Sequence, residues 1–282
     1  MLLTLLCAVP GMAEQRQDVN SRFVVQRNGK FGYIERTGEL VLPATLYAAS
    51  DFGDGVAVIM PSPRTGAIID ADGKTLGRLP LYKSIQPFSE GLAVVMQDEN
   101  HWGFVNPKAE VAIPLKFSAA ASFSEGLAAV ADASGKWGWI DKSGKVVIPP
   151  QFSGGGQFKE GMARFSRGSK SGYVDKTGKT IVEATYFTAQ DFSEGFGLVW
   201  DGKNRRFFDK TGKMVIEFPA SVSVGPFQEG LAAIKNGSEV GFIDKTGKMA
   251  LRVPFDGVSA FSEGLAPVRS GSGEAGKWGC IH

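Results

Sequence analysis

The sequence Phe-x-acid-Gly occurs seven times in this chain, at a spacing of 34 to 36 residues. The copies begin at Phe52, Phe88, Phe123, Phe158, Phe192, Phe227 and Phe261. A fixed period of this length indicates one small supersecondary motif that is repeated, with each repeat burying its apolar face against its neighbours. The recurring residues are therefore those that the scaffold needs, and they do not by themselves mark one reaction centre.

Each repeat contains three short runs that are rich in β-branched or aromatic residues and bounded by glycine and proline. The clearest copy has them at 127–130, 136–141 and 145–149. No stretch of helical period competes with them, so the repeat is predicted to be a three-stranded antiparallel meander. An Asp followed three residues later by Gly, as in Asp141 and Gly144, predicts the tight turn before the third strand. Proline is expected to end that strand, because it cannot continue a hydrogen-bonded ladder. These prolines are Pro43, Pro80, Pro114, Pro149, Pro219 and Pro254.

A Trp-Gly pair recurs within the second run of several repeats, at 102–103, 137–138 and 278–279. Together with the runs KWGWIDKSGKVVIPPQF and FSEGLAAV, it resembles the bacterial WG repeat family, also called KWG repeats. The resemblance covers roughly Arg22 to the C-terminus. It implies a bacterial protein of tandem β-rich repeats, from a family to which binding rather than a particular reaction is ascribed.

Residues 22–282 are accordingly predicted to form an all-β array of about seven and a half repeats. Propeller blades have four strands in about 40 to 45 residues, whereas this repeat shows three strands in about 35. The first repeat is complete from Phe23 to Pro43, and the eighth begins at Leu265 and stops before its third strand. We expect an open, solenoid-like array, with a closed seven- or eight-bladed β-propeller as the alternative. A fourth strand between the proline and the repeated phenylalanine would favour the propeller. The end at His282 predicts a truncated C-terminus.

The first thirteen residues carry no charge and are too few to span a bilayer. Their apolar run, followed by Gly11 and Ala13, is typical of a secretory signal peptide over residues 1–13. Residues 14–21 would then link it to the array. We therefore expect a periplasmic or secreted protein, with no transmembrane segment in the mature chain. Cys280 would be its one cysteine, so no internal disulfide is expected.

The formal net charge is +2, and lysines and acids alternate through the turns. Neither sign accumulates, so nucleic acid is not an expected partner. Catalytic motifs of the GxSxG, HExxH and phosphate-loop types do not occur in the sequence, and histidine is found at 101 and 282 alone. We expect a protein that is not an enzyme and holds no cofactor or metal.

The acid of the repeated motif is the residue type that binds calcium, since hard cations take clustered carboxylate oxygens. Each repeat supplies one such acid, so we expect each carboxylate instead to accept backbone N–H bonds at its own turn or to pair with a lysine. The glycine beside it is expected to take a backbone conformation closed to side chains. The tryptophans of the Trp-Gly pairs are expected to pack in the core rather than to stack on sugars, because Phe or Val replaces them in other repeats. The acids are Asp54, Glu90, Glu125, Glu160, Glu194, Glu229 and Glu263.

The repeat pattern is broken in the hairpin that begins at Trp200. Lys203, Arg205 and Arg206 make this hairpin basic, and the glycine of the Trp-Gly pair is lost there. We predict a ligand site at Trp200, Lys203, Arg205 and Arg206, with a solvated hairpin tip as the alternative interpretation.

The sequence therefore favours a non-catalytic scaffold that presents an extended surface to a protein, a peptide or a cell-envelope polysaccharide. A purely structural envelope protein is the first alternative. A glycoside hydrolase is the least favoured, because it needs two carboxyl groups about 5 to 9.5 Å apart. Candidate acids outside the repeated positions include Glu183, Glu217 and Asp256, and nothing in the sequence pairs them.

Overall fold

The computed structural model describes residues 22–271 and 276–282, which form 30 β-strands and no helix. The predicted signal peptide, residues 1–13, and the predicted linker, residues 14–21, lie outside the described residues. The described chain divides into two compact units. Unit A comprises residues 22–168 and 174–179, and unit B comprises residues 169–173 and 180–282.

Unit A contains four complete antiparallel sheets and a hairpin. The first sheet is β1 (Arg22–Arg27), β2 (Lys30–Glu35) and β3 (Leu40–Leu46). The second is β4 (Ala48–Ala49), β5 (Val56–Ser62), β6 (Thr65–Asp70) and β7 (Thr75–Leu79). The third is formed by β8 (Ser84–Ile85), β9 (Ala93–Asp98), β10 (His101–Val105) and β11 (Val111–Phe117). Next come β12 (Ala119–Ala120), β13 (Leu127–Ala131), β14 (Trp137–Asp141) and β15 (Val146–Phe152), and then the hairpin of β16 (Gly154–Lys159) and β17 (Met162–Arg167). The first of these sheets has three strands, and the other three have four strands each.

Unit B continues the same pattern, and β18 (Lys170–Asp175) contributes residues to both units. After β19 (Thr180–Tyr186) comes the sheet of β20 (Thr188–Ala189), β21 (Phe196–Trp200), β22 (Asn204–Asp209) and β23 (Met214–Pro219). It is followed by β24 (Val222–Gln228), β25 (Leu231–Asn236), β26 (Glu239–Ile243) and β27 (Met249–Arg252). The last sheet has three strands, β28 (Gly257–Val258), β29 (Ala266–Ser270) and β30 (Lys277–Ile281).

The predicted all-β repeat of antiparallel meanders is confirmed, and most sheets gain a fourth, short strand. This strand pairs with the first strand of the meander; it precedes the repeated phenylalanine in most sheets and includes it in β16 and β24. In one copy Ala119 lies opposite Ala131, and Ala120 lies opposite Val130. Within the described ranges, no strand of one sheet pairs with a strand of another. The fourth strand removes the strand-count argument against a propeller, and the open arrangement stays a prediction.

The sequence predicted that proline ends the third strand, but this holds in only some repeats. It does so, or follows the strand closely, at Pro80, Pro219 and Pro254. The strand continues beyond it at Pro43, Pro114 and Pro149. In β15, Phe152 lies opposite Trp137 and Ile148 lies opposite Trp139, so three residues face the single residue between the tryptophans. Proline is tolerated there because it lies in a bulge of an edge strand, where a ladder hydrogen bond is not required.

The same bulge explains the glycine of the Trp-Gly pair. A Cβ atom on Gly138 would lie 2.4 Å from the carbonyl oxygen of Ile148, and one on Gly172 would lie 2.3 Å from that of Val182. Real Cβ atoms do not approach a backbone atom so closely. The second position of the Trp-Gly pair therefore requires glycine, because the bulged edge strand crosses directly over it.

The core of each repeat is built from the phenylalanine of the motif and from residues on the meander strands. Six of the seven repeated phenylalanines are buried, namely Phe88, Phe123, Phe158, Phe192, Phe227 and Phe261. Among the Trp-Gly tryptophans, Trp102 packs against a core cluster as expected. Trp278 is 63% exposed, so the expectation of core packing is wrong there. The fully buried tryptophan is Trp139, whose Nε1 donates a 3.0 Å hydrogen bond to the carbonyl oxygen of Gly156.

Candidate functional site: the repeat joints and the Trp200 cavity

The acid and the glycine of the repeated motif form a two-residue hairpin turn. In one copy Ser124 and Leu127 exchange two backbone hydrogen bonds, at 2.9 and 3.2 Å. Between them, Glu125 and Gly126 have φ angles of +54° and +87°. Positive φ at both central residues is typical of the type I′ turn, whose twist matches that of the flanking strands. The special backbone angle predicted for the glycine is confirmed, and the acid shares it.

The acid side chain binds the next repeat rather than its own turn. The Glu90 carboxylate accepts a 2.9 Å hydrogen bond from the N–H of Gly126, and Glu125 accepts one of 2.8 Å from Gly161. The prediction that each carboxylate caps its own turn is wrong, because the glycine N–H of that turn already donates to the preceding acid. The same contact joins Asp54 to Gly91, Glu194 to Gly230, and Glu229 to Gly264.

Lysines complete several of these joints, as the sequence predicted. Lys176 Nζ lies 3.1 Å from Glu125 Oε2 and also donates a 2.9 Å hydrogen bond to the backbone carbonyl oxygen of Glu125. Burial raises the pKa of the Glu125 carboxyl, but the hydrogen bonds from Gly161 and Lys176 outweigh burial and lower the pKa overall. Equivalent ion pairs join Lys142 to Glu90 and Lys245 to Glu194. Five of the seven repeated acids thus hold consecutive repeats together. The described part of the chain contains no cluster of side chains suited to a metal ion.

The hairpin after Trp200 differs from the others in its charges. Asp201 Oδ1 accepts backbone hydrogen bonds from Asn204 at 2.7 Å and from Lys203 at 2.8 Å. These bonds, with that from the Arg206 guanidinium, lower the pKa of Asp201 to about 2. Arg206 also pairs with Glu217 on β23. Arg206 is therefore neutralised by two carboxylates, and it holds the hairpin together rather than presenting a free cation.

Arg205 is placed differently from Arg206. Its Nη1 donates hydrogen bonds of 2.7 and 2.8 Å to the carbonyl oxygens of Ala220 and Val222. Across the described ranges, no carboxylate forms an ion pair with it. Arg205 thus keeps its net charge, and Nε and Nη2 take no part in the two bonds that fix the guanidinium.

Trp200 and Arg205 are direct neighbours on one face of the sheet formed by β20 to β23. Trp200 lies opposite Thr188 on one side and opposite Arg205 on the other. Residues directly opposite each other in an antiparallel sheet have their side chains on the same face, about 5 Å apart. The structure therefore brings these two predicted site residues together.

The face that carries Trp200 and Arg205 borders a cavity of about 150 Å³ in unit B. Its lining residues are Thr188, Gln190, Leu198, Val199, Trp200, Arg205 and Val224. The Nε1 atom of Trp200 is buried and has no hydrogen-bond partner among the described residues. A buried donor left without a partner costs about 1–3 kcal/mol relative to a satisfied one, so such a group needs a reason. The atom is closed to solvent, so it lies beneath the cavity surface rather than on it.

Two repeat positions that line the cavity differ in residue size from the regular copy. In the regular copy the row across the sheet is Ala119, Ala131 and Trp137. Here the small alanine of the first meander strand is replaced by Trp200, and the tryptophan of the second is replaced by Arg205. The sequence signal for this exchange was the loss of the Trp-Gly pair. The lining residues Thr188, Gln190 and Val224 were not predicted, because each comes from a neighbouring strand.

Lys203 is separate from this cavity. It is exposed at the tip of the hairpin and does not contribute to the lining. At the rim, the ring of Phe187 lies 5.7 Å from that of Trp200, and Lys170 Nζ lies 3.3 Å from the Phe187 ring centroid. Phe187 is 48% exposed, so an aromatic ring and a cation border the cavity at the surface.

Comparison with protein families gives one match, described as the WG containing repeat. It covers seven segments, residues 31–60, 79–100, 102–132, 137–170, 172–199, 206–239 and 241–278. These segments span more than half of the chain. The chain belongs to the WG repeat family. No curated protein sequence matches this WG-repeat protein.

Solved structures resemble the WG-repeat protein in fold at low sequence identity. BamB from Moraxella catarrhalis aligns with a TM-score of 0.50 at 12% identity, covering 92% of this chain and 94% of BamB. A structure titled as the eukaryotic initiation factor aligns with a TM-score of 0.61 at 11% identity, covering 89% of this chain and 78% of that one. At such identities the likeness concerns the fold alone.

The remaining sequence-predicted candidates of the WG-repeat protein are placed as follows. His101 is exposed, and its Nδ1 lies 2.6 Å from Asp98 Oδ1 at a hairpin. Glu217 pairs with Arg206, and Asp256 accepts a 2.6 Å hydrogen bond from the N–H of Gly271. Glu183 is exposed. A search of the described residues finds no helix that is long and apolar enough to cross a membrane.

Proposed function

We propose that this WG-repeat protein is a non-catalytic scaffold that binds a protein, a peptide or a cell-envelope polysaccharide. The observation that carries the proposal is that two groups of residues in this protein have different roles. The repeated acids and glycines join one repeat to the next, whereas the off-pattern residues Trp200 and Arg205 border a cavity. Regular repeats that build a framework, with departures at one place on it, are typical of repeat proteins that bind.

The proposed place of action is the periplasm or the extracellular medium, on the strength of the apolar segment 1–13. The mass of the protein purified from the periplasmic fraction should correspond to a chain that begins at Glu14. Recovery of the chain from the cytosol with residues 1–13 intact would contradict this location.

Two further observations bear on catalysis. Glu217 and Asp256, which were candidates for a glycosidase pair, are engaged with Arg206 and with the N–H of Gly271. A general acid or a nucleophile has to be available to a substrate. The contacts of these acids therefore support a role in the scaffold over a role in hydrolysis. A purely structural envelope role remains as the second candidate, and the joint contacts between repeats favour it.

Capture experiments separate a binding scaffold from a structural one. The full chain, immobilised and incubated with envelope extract, should retain a discrete partner that is identified by mass spectrometry. Titration of envelope glycans, followed by calorimetry, covers the polysaccharide class. The urea-unfolded chain on the same support provides the control. Failure to retain any partner, together with flat glycan titrations, would refute the binding function and leave the structural one.

A further inference from the structure

We infer that the cavity beside Trp200 binds the carboxylate of an acidic side chain, Glu or Asp, carried by a peptide segment of a partner. This inference rests on the proposed binding function and assigns it a ligand class. The sequence indicated the hairpin but not its ligand. The cavity is formed by tertiary packing, and its volume limits the size of the ligand.

The charge of the cavity selects a monoanion. Arg205 is the cationic residue in its lining, and its Nη1 is already held by the carbonyl oxygens of Ala220 and Val222. The remaining Nε and Nη2 groups are the pair of parallel donors that a carboxylate accepts in a two-pronged contact. Neither Lys203 nor Lys170, which lies over the Phe187 ring, belongs to the cavity lining, so a phosphate dianion inside the cavity would be lined by one positive charge.

The other polar groups of the cavity lining can also serve an acceptor. Thr188 and Gln190 add a hydroxyl and an amide that can donate to a carboxylate oxygen. A cation surrounded by neutral donors is complementary to a carboxylate and not to an ammonium group.

The size of the cavity favours a side chain over a sugar. A cavity of about 150 Å³ has room for a group of about the size of benzene, which has six carbon atoms. A carboxylate on one or two methylene groups fits within that volume, whereas a uronic acid ring with its hydroxyl groups is too large. Leu198, Val199 and Val224 offer apolar contacts to a methylene stem and no partners for ring hydroxyl groups. The exposed ring of Phe187 at the rim can cover the peptide chain on either side.

The test uses the full chain and two matched peptides, acetyl-Gly-Glu-Gly-amide and acetyl-Gly-Gln-Gly-amide, in calorimetric titrations. The Glu peptide should bind roughly tenfold or more tightly than the Gln peptide, because only the former carries the charge that Arg205 meets. Arg205→Gln should remove that preference. Lys203→Gln, which deletes a nearby charge outside the cavity, should leave both affinities unchanged.

Two further variants keep the test valid if Arg205→Gln lowers stability by releasing the carbonyl groups that it caps. Thr188→Met places a longer side chain at an exposed lining position and should block the Glu peptide while the melting temperature is kept. Trp200→Phe removes the tryptophan that lines the cavity, and it should abolish the change in tryptophan fluorescence that we expect when the Glu peptide binds. Trp278→Phe, at an exposed tryptophan of another sheet, should affect neither binding nor that fluorescence change.

Equal affinity for the Glu and Gln peptides, or a preference that survives both Arg205→Gln and Thr188→Met, would overturn the inference. Tighter binding of galacturonate than of the Glu peptide would do so as well, since the partner would then be a polysaccharide. Glutarate binding as tightly as the Glu peptide would assign the cavity to a free small acid instead. If envelope partners are retained equally by wild type and by Thr188→Met, the scaffold function stands and the cavity assignment fails.

Discussion

The carboxylate of Glu125 accepts a 2.8 Å hydrogen bond from the N–H of Gly161, which is the glycine of the next repeated motif. The serine beside the acid makes a second joint, since Ser124 Oγ donates a 2.6 Å hydrogen bond to the carbonyl oxygen of Phe158. Glu125 has a left-handed backbone, which for a residue other than glycine costs about 1–3 kcal/mol. The contact with the following repeat offsets that cost. The motif is thus a connector between consecutive repeats.

Glu125→Ala is expected to lower the free energy of unfolding by about 1–2 kcal/mol, because it leaves the Gly161 N–H without its acceptor and Lys176 without its partner. The measurement is urea denaturation followed by circular dichroism. Glu183→Ala, which removes an exposed acid outside the motif, should change the stability by less than about 0.5 kcal/mol. Equal effects of the two substitutions would show that the carboxylate of Glu125 does not stabilise the joint.

Gly138→Ala is expected to destabilise the protein by at least about 2 kcal/mol, because a Cβ atom there would lie 2.4 Å from the carbonyl oxygen of Ile148. Neither atom can move without shifting a strand. Gly257→Ala is the matched control, since a Cβ atom at this position has no neighbour within 4 Å. Thermal melting of both variants distinguishes a steric requirement for glycine from a general effect of adding a methyl group. A Gly138→Ala variant as stable as Gly257→Ala would contradict the close crossing of the edge strand.

The stability of the protein should fall in acid, and Asp201 should contribute to the fall. Its carboxyl group has a pKa of about 2 in the folded chain, against about 3.9 when unfolded. A group with the lower pKa in the folded state binds fewer protons there. Its stabilising effect is therefore complete above about pH 4 and is lost as the pH falls towards about 2. Urea midpoints measured from pH 7 to pH 2 should decline over this range.

Asp201→Asn tests the contribution of this one carboxyl group. The variant should be less stable than wild type at pH 7, and the difference should shrink towards pH 2, where the wild-type carboxyl becomes protonated. Glu183→Gln is the matched control at an exposed acid. A difference between Asp201→Asn and wild type that is constant across the whole pH range would rule out the ionised carboxylate as its cause.

Calcium should not stabilise the protein. The carboxylate oxygens of the motif acids accept hydrogen bonds from glycine N–H groups and pair with lysines of neighbouring repeats, as those of Glu90 do with Gly126 and Lys142. A site with a dissociation constant of about 10 µM would add about 2.7 kcal/mol of stability at 1 mM calcium, which corresponds to several degrees in melting temperature. Melting temperatures in 1 mM calcium and in excess chelator should instead agree within about 1 °C. A rise of several degrees with calcium would mean that these joints bind metal.

The sequence by itself determined the repeat, its β-structure and the turns, because these depend on local chemistry. The runs of β-branched and aromatic residues, the Asp-to-Gly spacing and the glycine in each of the seven motifs all reflect the backbone conformation of the residues that carry them. In Asp141, for example, Oδ1 accepts the backbone N–H groups of Ser143 and Lys145 at 2.9 and 3.1 Å, as the turn chemistry predicts. The break in the pattern at Trp200 was visible for the same reason.

Tertiary structure alone decided the partners of these residues. Glu125 and Gly161 are 36 positions apart, and no local rule connects them. Two arginines that are adjacent in sequence acquired different roles, because Arg206 meets Asp201 and Glu217 whereas Arg205 meets backbone carbonyl groups at the edge of a cavity. Which charge is neutralised, and which is left beside an open volume, depends on side chains from other strands. The sequence therefore located the candidate site, and the packing of neighbouring strands determined which of its residues can meet a ligand.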